Sequence, residues 1–200
     1  IINDEKAIKE RKQNMMKFFN SNYSVLNEKQ FVEMLKGTDE ETSDMLGQIK
    51  MFFKTDLSGK FYAVLYIDID RKQHVCKEIY LNDGRLMVFA VRNIVDELAK
   101  ENFKYISFED SNMGIVLILS FKGGKNDFES KLHFLAEKIK YMVNKFLKHS
   151  VTICVGNTLD SADRIKQGYR EVLNITHFKL FYESNSILKC SKLIGRNKVF

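Results

Sequence analysis

Asp68 and Asp70 close an apolar run, Phe61-Tyr-Ala-Val-Leu-Tyr-Ile-Asp-Ile-Asp70, and their spacing is the arrangement in this chain most able to do chemistry. Side chains alternate between the two faces of a strand, so both carboxylates leave the same face close to the strand's end. Acids held that way can ligate a divalent cation, as phosphoryl-transfer sites require. The plainer reading is that acids at a strand's mouth reach solvent and open a loop. Glu109 and Asp110 lie in a second loop that could supply a further acid, so Asp68, Asp70 and Asp110 form the candidate ligand-binding set.

Other reactive residues are scattered. Cys76, Cys154 and Cys190 are odd in number and far apart, with no C-x-x-C pair, which fits a reducing cytoplasm and neither zinc nor a redox disulfide. His74, His133, His149 and His177 also lack metal spacing. No catalytic residue, metal ligand set or cofactor is therefore assigned. Lys122-Gly-Gly-Lys125 precedes a helical pattern and could cradle an anion, but the rest of a P-loop is missing, which leaves a strand-to-helix turn.

A chain of 200 residues with 44% hydrophobic and 12% aromatic content can bury one sizeable core, so one main domain with helical additions is expected. The net charge of +6 invites a nucleic-acid reading, yet the excess is carried by 25 Lys against 7 Arg, in no long run. Base and phosphate recognition favours the planar Arg fork, so the lysines read as solvated helix faces. No apolar run reaches the roughly 18–20 residues of a membrane span, and no signal-peptide layout is present. The chain begins Ile-Ile-Asn rather than with Met, so it is expected to be a piece of something longer.

The elements that must position the acids follow from periodicity. Residues 4–20 read as a helix with Ile8, Met15, Phe18 and Phe19 as an apolar stripe that could pack on the domain or on a second copy of the chain. Asn27 with Gln30, and Thr38 with Glu41, read as capping boxes for two further helices, the second running through Phe53. Together these make a helical preface over residues 1–56, ahead of a domain over residues 57–200. In the first strand Phe61, Ala63, Leu65 and Ile67 face one way, and Tyr62, Val64, Tyr66, Asp68 and Asp70 the other.

A helix from Leu86 to Leu98 follows. Strands Phe103–Phe108 and Gly114–Phe121 form a hairpin, the second apolar on both faces and hence central. Asn126 and Glu129 read as the cap of a long helix with Phe128, Leu132, Leu135, Ile139, Val143 and Phe146 among its apolar positions. Val151–Val155 is a buried strand, and the helix after Asp160 puts Tyr169 in the core and Arg170 outside. His177–Tyr182 reads as an edge strand, with Ile187 and Leu188 beyond. The order strand, helix, hairpin, helix, strand, helix, strand predicts an α/β (α+β) fold: a ferredoxin-like βαββαβ sheet with packed helices and an N-terminal helical extension.

Tyr66-Ile-Asp-Ile-Asp70, Gly114-Ile-Val-Leu-Ile-Leu119, Val151-Thr-Ile-Cys-Val-Gly156, Gly168-Tyr-Arg-Glu-Val-Leu173 and Phe178-Lys-Leu-Phe181 occur in a set order. In that order and spacing they resemble the nucleotidyl-cyclase-like family named for its GGDEF motif. They resemble more closely its degenerate version in the middle of AraC-type response-regulator transcription factors. The resemblance covers about Phe61 to Leu188. Gly168 and Val172 depart from the regulators' Ser-Tyr-Arg-Glu-Ala pattern.

In an active relative the hairpin carries Gly-Gly-Asp/Glu-Glu-Phe, whose glycines admit a triphosphate and whose acid joins the first-strand Asp on magnesium. This chain has Ser111-Asn-Met-Gly114 there, and Arg71-Lys-Gln-His-Val-Cys76 where the family reads Phe-Lys-x-x-Asn-Asp. The resemblance thus implies a cytoplasmic, non-catalytic signal-transmission and dimerisation domain, not an enzyme. It would join an upstream receiver to a downstream helix-turn-helix domain, self-associate through its N-terminal helices, and leave DNA contact to the parent protein. A small-ligand or nucleotide sensor, and a magnesium-dependent cyclase, are the alternatives.

Overall fold

The computed structural model describes residues 26–37, 44–70, 80–177 and 182–191, with side chains described from residue 84 in the helix that begins at residue 80. Helical backbone covers residues 26–36 (α1). There follow α2 (Met45–Phe53), β1 (Phe61–Ile69), α3 (Tyr80–Ala99), β2 (Lys104–Glu109), β3 (Ile115–Phe121), α4 (Lys125–Leu147), β4 (Val151–Val155), a 3-10 turn (Ala162–Arg164), α5 (Ile165–His177) and β5 (Ile187–Lys189). The expected α/β order is the one observed.

The sheet runs β2-β3-β1-β4-β5. β1 lies between β3 and β4, antiparallel to both, while β5 adds to β4 in parallel. The β1-α3-β2 and β3-α4-β4 crossovers therefore each skip one strand, which gives the split arrangement of a ferredoxin-like sheet.

Alternation along β1 and β3 builds a core on each face. Ala63, Leu65, Ile67, Leu117 and Leu119 join Val91 and Val95 of α3 and Phe128, Leu135, Ile139 and Val143 of α4. On the other face Tyr62, Val64, Tyr66, Val116 and Ile118 join Phe31 of α1, Ile49 of α2 and Ile165, Tyr169 and Val172 of α5. Coverage of both faces explains why β3 is apolar on both faces from Ile115 to Leu119. The helical preface is thus part of the core: Phe31 meets Phe52, Phe53 and Phe108 with ring centroids 5.6, 5.0 and 5.4 Å apart.

Several local expectations are corrected. Asn27 lies inside α1 rather than capping it, and its Nδ2 donates to the Phe52 carbonyl at 3.4 Å. α2 starts at Met45, where Asp44 accepts the Gly47 N–H, and the expected cap pair Thr38 and Glu41 lies outside the described residues. α4 is capped by Gly124 without a side-chain bond, which places Asn126 within the first turn. Phe146 is exposed, while Leu147 beside it in the last turn of α4 packs against the core. α5 continues through His177, so the expected strand cannot begin there, and among the described residues the strand beside β4 at the sheet's edge is the three-residue β5. Residues 178–181 lie outside the described residues, as do Ile8, Met15, Phe18, Phe19, Cys76 and His74.

Candidate functional site

The end of β1 and the tip of the hairpin share one end of the sheet, because Ile67 pairs with Ile115 and Asp68 pairs with Thr152. Asp68, Asp70 and Asp110 all belong to that end. Each of the two buried acids holds a loop of its own.

Asp70 follows β1 and is buried. Its Oδ1 accepts the Thr152 hydroxyl and its Oδ2 the Asn185 backbone N–H, both at 2.7 Å. Its own N–H donates to the Ser150 carbonyl at 2.9 Å. The residue thereby fastens the end of β1 to the start of β4 and to the turn before β5, where Asn185 takes a left-handed φ of 65°. Asp68 is half-buried on the same side of the strand.

Asp110 is also buried. Its Oδ1 accepts the N–H groups of Asn112 and Gly114, each at 2.9 Å, and its Oδ2 accepts the Tyr66 hydroxyl at 3.1 Å. A backbone bond from Asp110 N–H to the Gly114 carbonyl at 2.9 Å closes the loop, with Met113 left-handed at φ 64°. A Cβ at Gly114 would fall inside the Tyr66 ring, so glycine is required there by close approach. Burial holds the Tyr66 phenol well above its ordinary range, and the charge and hydrogen bond of Asp110 add to this. Tyr66 therefore stays a donor to Asp110 at neutral pH.

Tyr169 lies under the same loop, fully buried, and its hydroxyl has no hydrogen-bond partner among the described residues. Arg170, expected outside, is half-buried and donates to the Gly37 carbonyl at 2.7 Å, which ties α5 to the end of α1. Lys36 of α1 reaches the Ser111 hydroxyl at 3.4 Å. Nearer the start of α1, Glu28 accepts both Arg92 terminal nitrogens, at 3.2 and 2.9 Å. Arg92 also donates to the Ser107 carbonyl at 2.6 Å and hydroxyl at 3.1 Å, and Glu28 accepts the Glu109 N–H at 3.4 Å. Sequence reading missed Glu28, Arg92, Tyr66 and Thr152. Each is an ordinary residue in its own element, and only the ladder register and the docking of α1 bring it into play.

Beside this cluster, burial pushes the Asp96 and Glu109 carboxyls up, with Ser107 and Arg92 restraining Asp96 and with Glu28 adding to the rise at Glu109. Among the described residues no three His, Cys, Asp or Glu side chains group as a metal site. Cys154 and Cys190 are buried, and burial pushes the Cys190 thiol up to about 11. Shallow concavities of about 270 and about 410 Å³ lie at the opposite end of the sheet, beside Gly59 and Tyr62 and beside Phe103 and Phe121. No helix among the described residues is long and apolar enough to cross a membrane.

No protein-family model matches the chain, and no curated protein matches it by sequence. Among solved structures it is similar to the active GGEEF domain of a diguanylate cyclase from Vibrio cholerae. That likeness has 13% identity and a TM-score of 0.48, over 72% of this chain and 88% of that one. It is also similar to the diguanylate cyclase SiaD of Pseudomonas aeruginosa, solved with its activator SiaC. Here the identity is 12% and the TM-score 0.46, over 94% of this chain and 71% of that one. The expectation that the chain is not an enzyme is corrected on this finding, since these two structures are each described as a diguanylate cyclase. The chain is an α+β protein on a ferredoxin-like βαββαβ sheet, and in fold it is similar to these cyclase domains.

Proposed function

We propose that this chain is the signal-transmission module of a bacterial transcription regulator, in which the helical preface passes a change in its own position to the loop beside the acids of β1. The observation that carries the reading is the docking of α1 along the hairpin. Glu28 grips Arg92 and the Glu109 N–H before the loop, Lys36 reaches Ser111 within it, and Arg170 holds Gly37 where α1 ends. A helix fastened on both sides of one loop has a different interaction free energy with each arrangement of that loop, which is the requirement for coupling. Arg170 belongs to the segment that resembles the regulators' Ser-Tyr-Arg-Glu-Ala pattern, and this supports placing the chain in such a protein. A receiver domain before it, a helix-turn-helix domain after it and self-association through the preface complete the proposal.

The test is amide hydrogen exchange at the loop. Glu28→Ala is expected to speed exchange of the Asn112 and Gly114 amides about tenfold while leaving Ile153 in β4 unchanged. Loop exchange that ignores this substitution would remove the coupling. The wider placement is tested by the parent gene, which should encode a phosphoacceptor Asp upstream and a helix-turn-helix downstream.

A further inference from the structure

Two carboxylates meet at Arg92, and the coupling described above uses only one of them. Glu28 of α1 takes the two terminal nitrogens, at 3.2 and 2.9 Å. Asp96 stands one turn further along α3 on the same face as Arg92, and it shares the Ser107 hydroxyl with the Arg92 Nε, which reaches that oxygen at 3.1 Å. The Asp96 Oδ1 is buried and has no hydrogen-bond partner among the described residues. A carboxylate oxygen sealed from water without a donor is costly while charged, and far less so when it carries a proton.

Burial is the largest influence on Asp96 and pushes its carboxyl up. The Ser107 hydroxyl of β2 and Arg92 of its own helix oppose that, while Glu28 of α1 and exposed Glu97 of α3 add to it. The Tyr105 phenol of β2 also faces Asp96. Glu109, where β2 ends, faces Glu28, Arg85, Arg92 and Asp110. When α1 lifts, Glu28 takes its charge away, so Asp96 releases its proton at a lower pH. The docked arrangement thus holds that proton over an interval in which the lifted one does not, and by linkage acid favours docking. This contribution is complete below the value of the lifted arrangement and is lost as pH rises through that of the docked one.

We infer that Asp96 makes the docking of α1 a proton-linked catch: neutral Asp96 leaves Arg92 to Glu28, whereas ionised Asp96 competes for Arg92 and repels Glu28, which releases the helix. The step is one proton taken from water onto a carboxylate oxygen. The inference rests on the reading of α1 as the transmitting helix and supplies an input to it.

Amide hydrogen exchange of the 200-residue chain at about pH 5 and about pH 8 tests this, with each rate divided by its intrinsic value at that pH. Val32 and Leu35 report α1, because a helix this short does not keep its own hydrogen bonds once it leaves the core. Ile153 in β4 reports global stability. Protection of α1 relative to Ile153 should be about fivefold higher at the lower pH. Asp96→Asn keeps the volume and loses the proton site, so it should remove most of that difference. Glu28→Gln should do the same, because an uncharged partner no longer senses Asp96, and it serves as the test where Asp96→Asn fails to fold. A pH-independent ratio in the wild-type chain, or a difference that survives either substitution, would overturn the inference. The Asn112 and Gly114 amides separate the catch from the coupling. An α1 that follows pH beneath an unmoved loop would support the catch and sink the transmission. A loop freed by Glu28→Ala in a chain whose α1 ignores pH would do the reverse.

Discussion

Asp110 shows how much of the hairpin tip rests on one side chain. It bonds two loop amides and the Tyr66 hydroxyl, and Gly114 leaves the room that the Tyr66 ring occupies. Tyr66→Phe removes a hydrogen bond to a charged acceptor, so a loss of about 1.5–3 kcal/mol is expected in urea unfolding. Gly114→Ala forces the ring aside and should cost about 1–3 kcal/mol. The two losses should not add, because both act through the same contact, and a double-mutant cycle reads the difference. Asp96 gives a pH signature. Burial holds its carboxyl above the usual 3.8, so the folded chain keeps that proton to higher pH than the unfolded chain does. Its contribution to stability is therefore complete at low pH and is lost as pH rises through the folded value. Asp96→Asn should flatten the fall in stability above the usual carboxylate range, as followed by denaturation at a series of pH values. The shared face of Asp68 and Asp70 was legible from alternation alone. The loop bonds of Asp110 were not, since an acid that staples its own turn and an acid that waits for a ligand read alike in sequence.

Among elements, α1 is the one whose role the pattern left open. Its apolar Phe31, Val32 and Leu35 announced a buried stripe, but nothing in them named the strand it would cover. The Glu28 and Arg92 side chains are 13% and 28% exposed, so the pair is neither a surface bridge nor fully desolvated. Arg92→Ala should cost on the order of 2 kcal/mol, below the roughly 3–5 kcal/mol of a fully buried pair, and Glu28→Ala less, because Arg92 would keep Ser107. The helix ends hold a second lesson. The chain lacks Pro, so its turns fall to Gly, Asn, Asp and Ser. Yet the described non-glycine residues with positive φ are Lys54, Met113, Lys148 and Asn185, and no described glycine has a positive φ. Lys54 ends α2 at φ 53°, where a Cβ is strained. Lys54→Gly is expected to raise stability by about 0.5 kcal/mol, a modest gain because glycine also loosens the unfolded chain.

For the molecule as a whole, the sheet is the shared wall of two cores, and β1 and β3 contribute to both. Alternation along those strands made the two-sided layout readable. The short parallel β5 was hidden because a three-residue strand carries no periodicity. Cores joined through common strands should melt together. Phe108→Ala beneath the preface and Ile139→Ala on the buried face of α4 are each expected to cost about 2–5 kcal/mol and to move one unfolding transition. Fluorescence of the tyrosines and far-ultraviolet circular dichroism should give the same midpoint for each variant. The clasp between α1 and α3 has a further consequence. β2 is an outer strand of the sheet, and its Ser107 carbonyl and Glu109 N–H are the groups that Arg92 and Glu28 occupy. Those groups would otherwise template a foreign strand. The ion pair thus shields part of the sheet's open edge, and Arg92→Ala should leave these two groups free for strand addition by another chain.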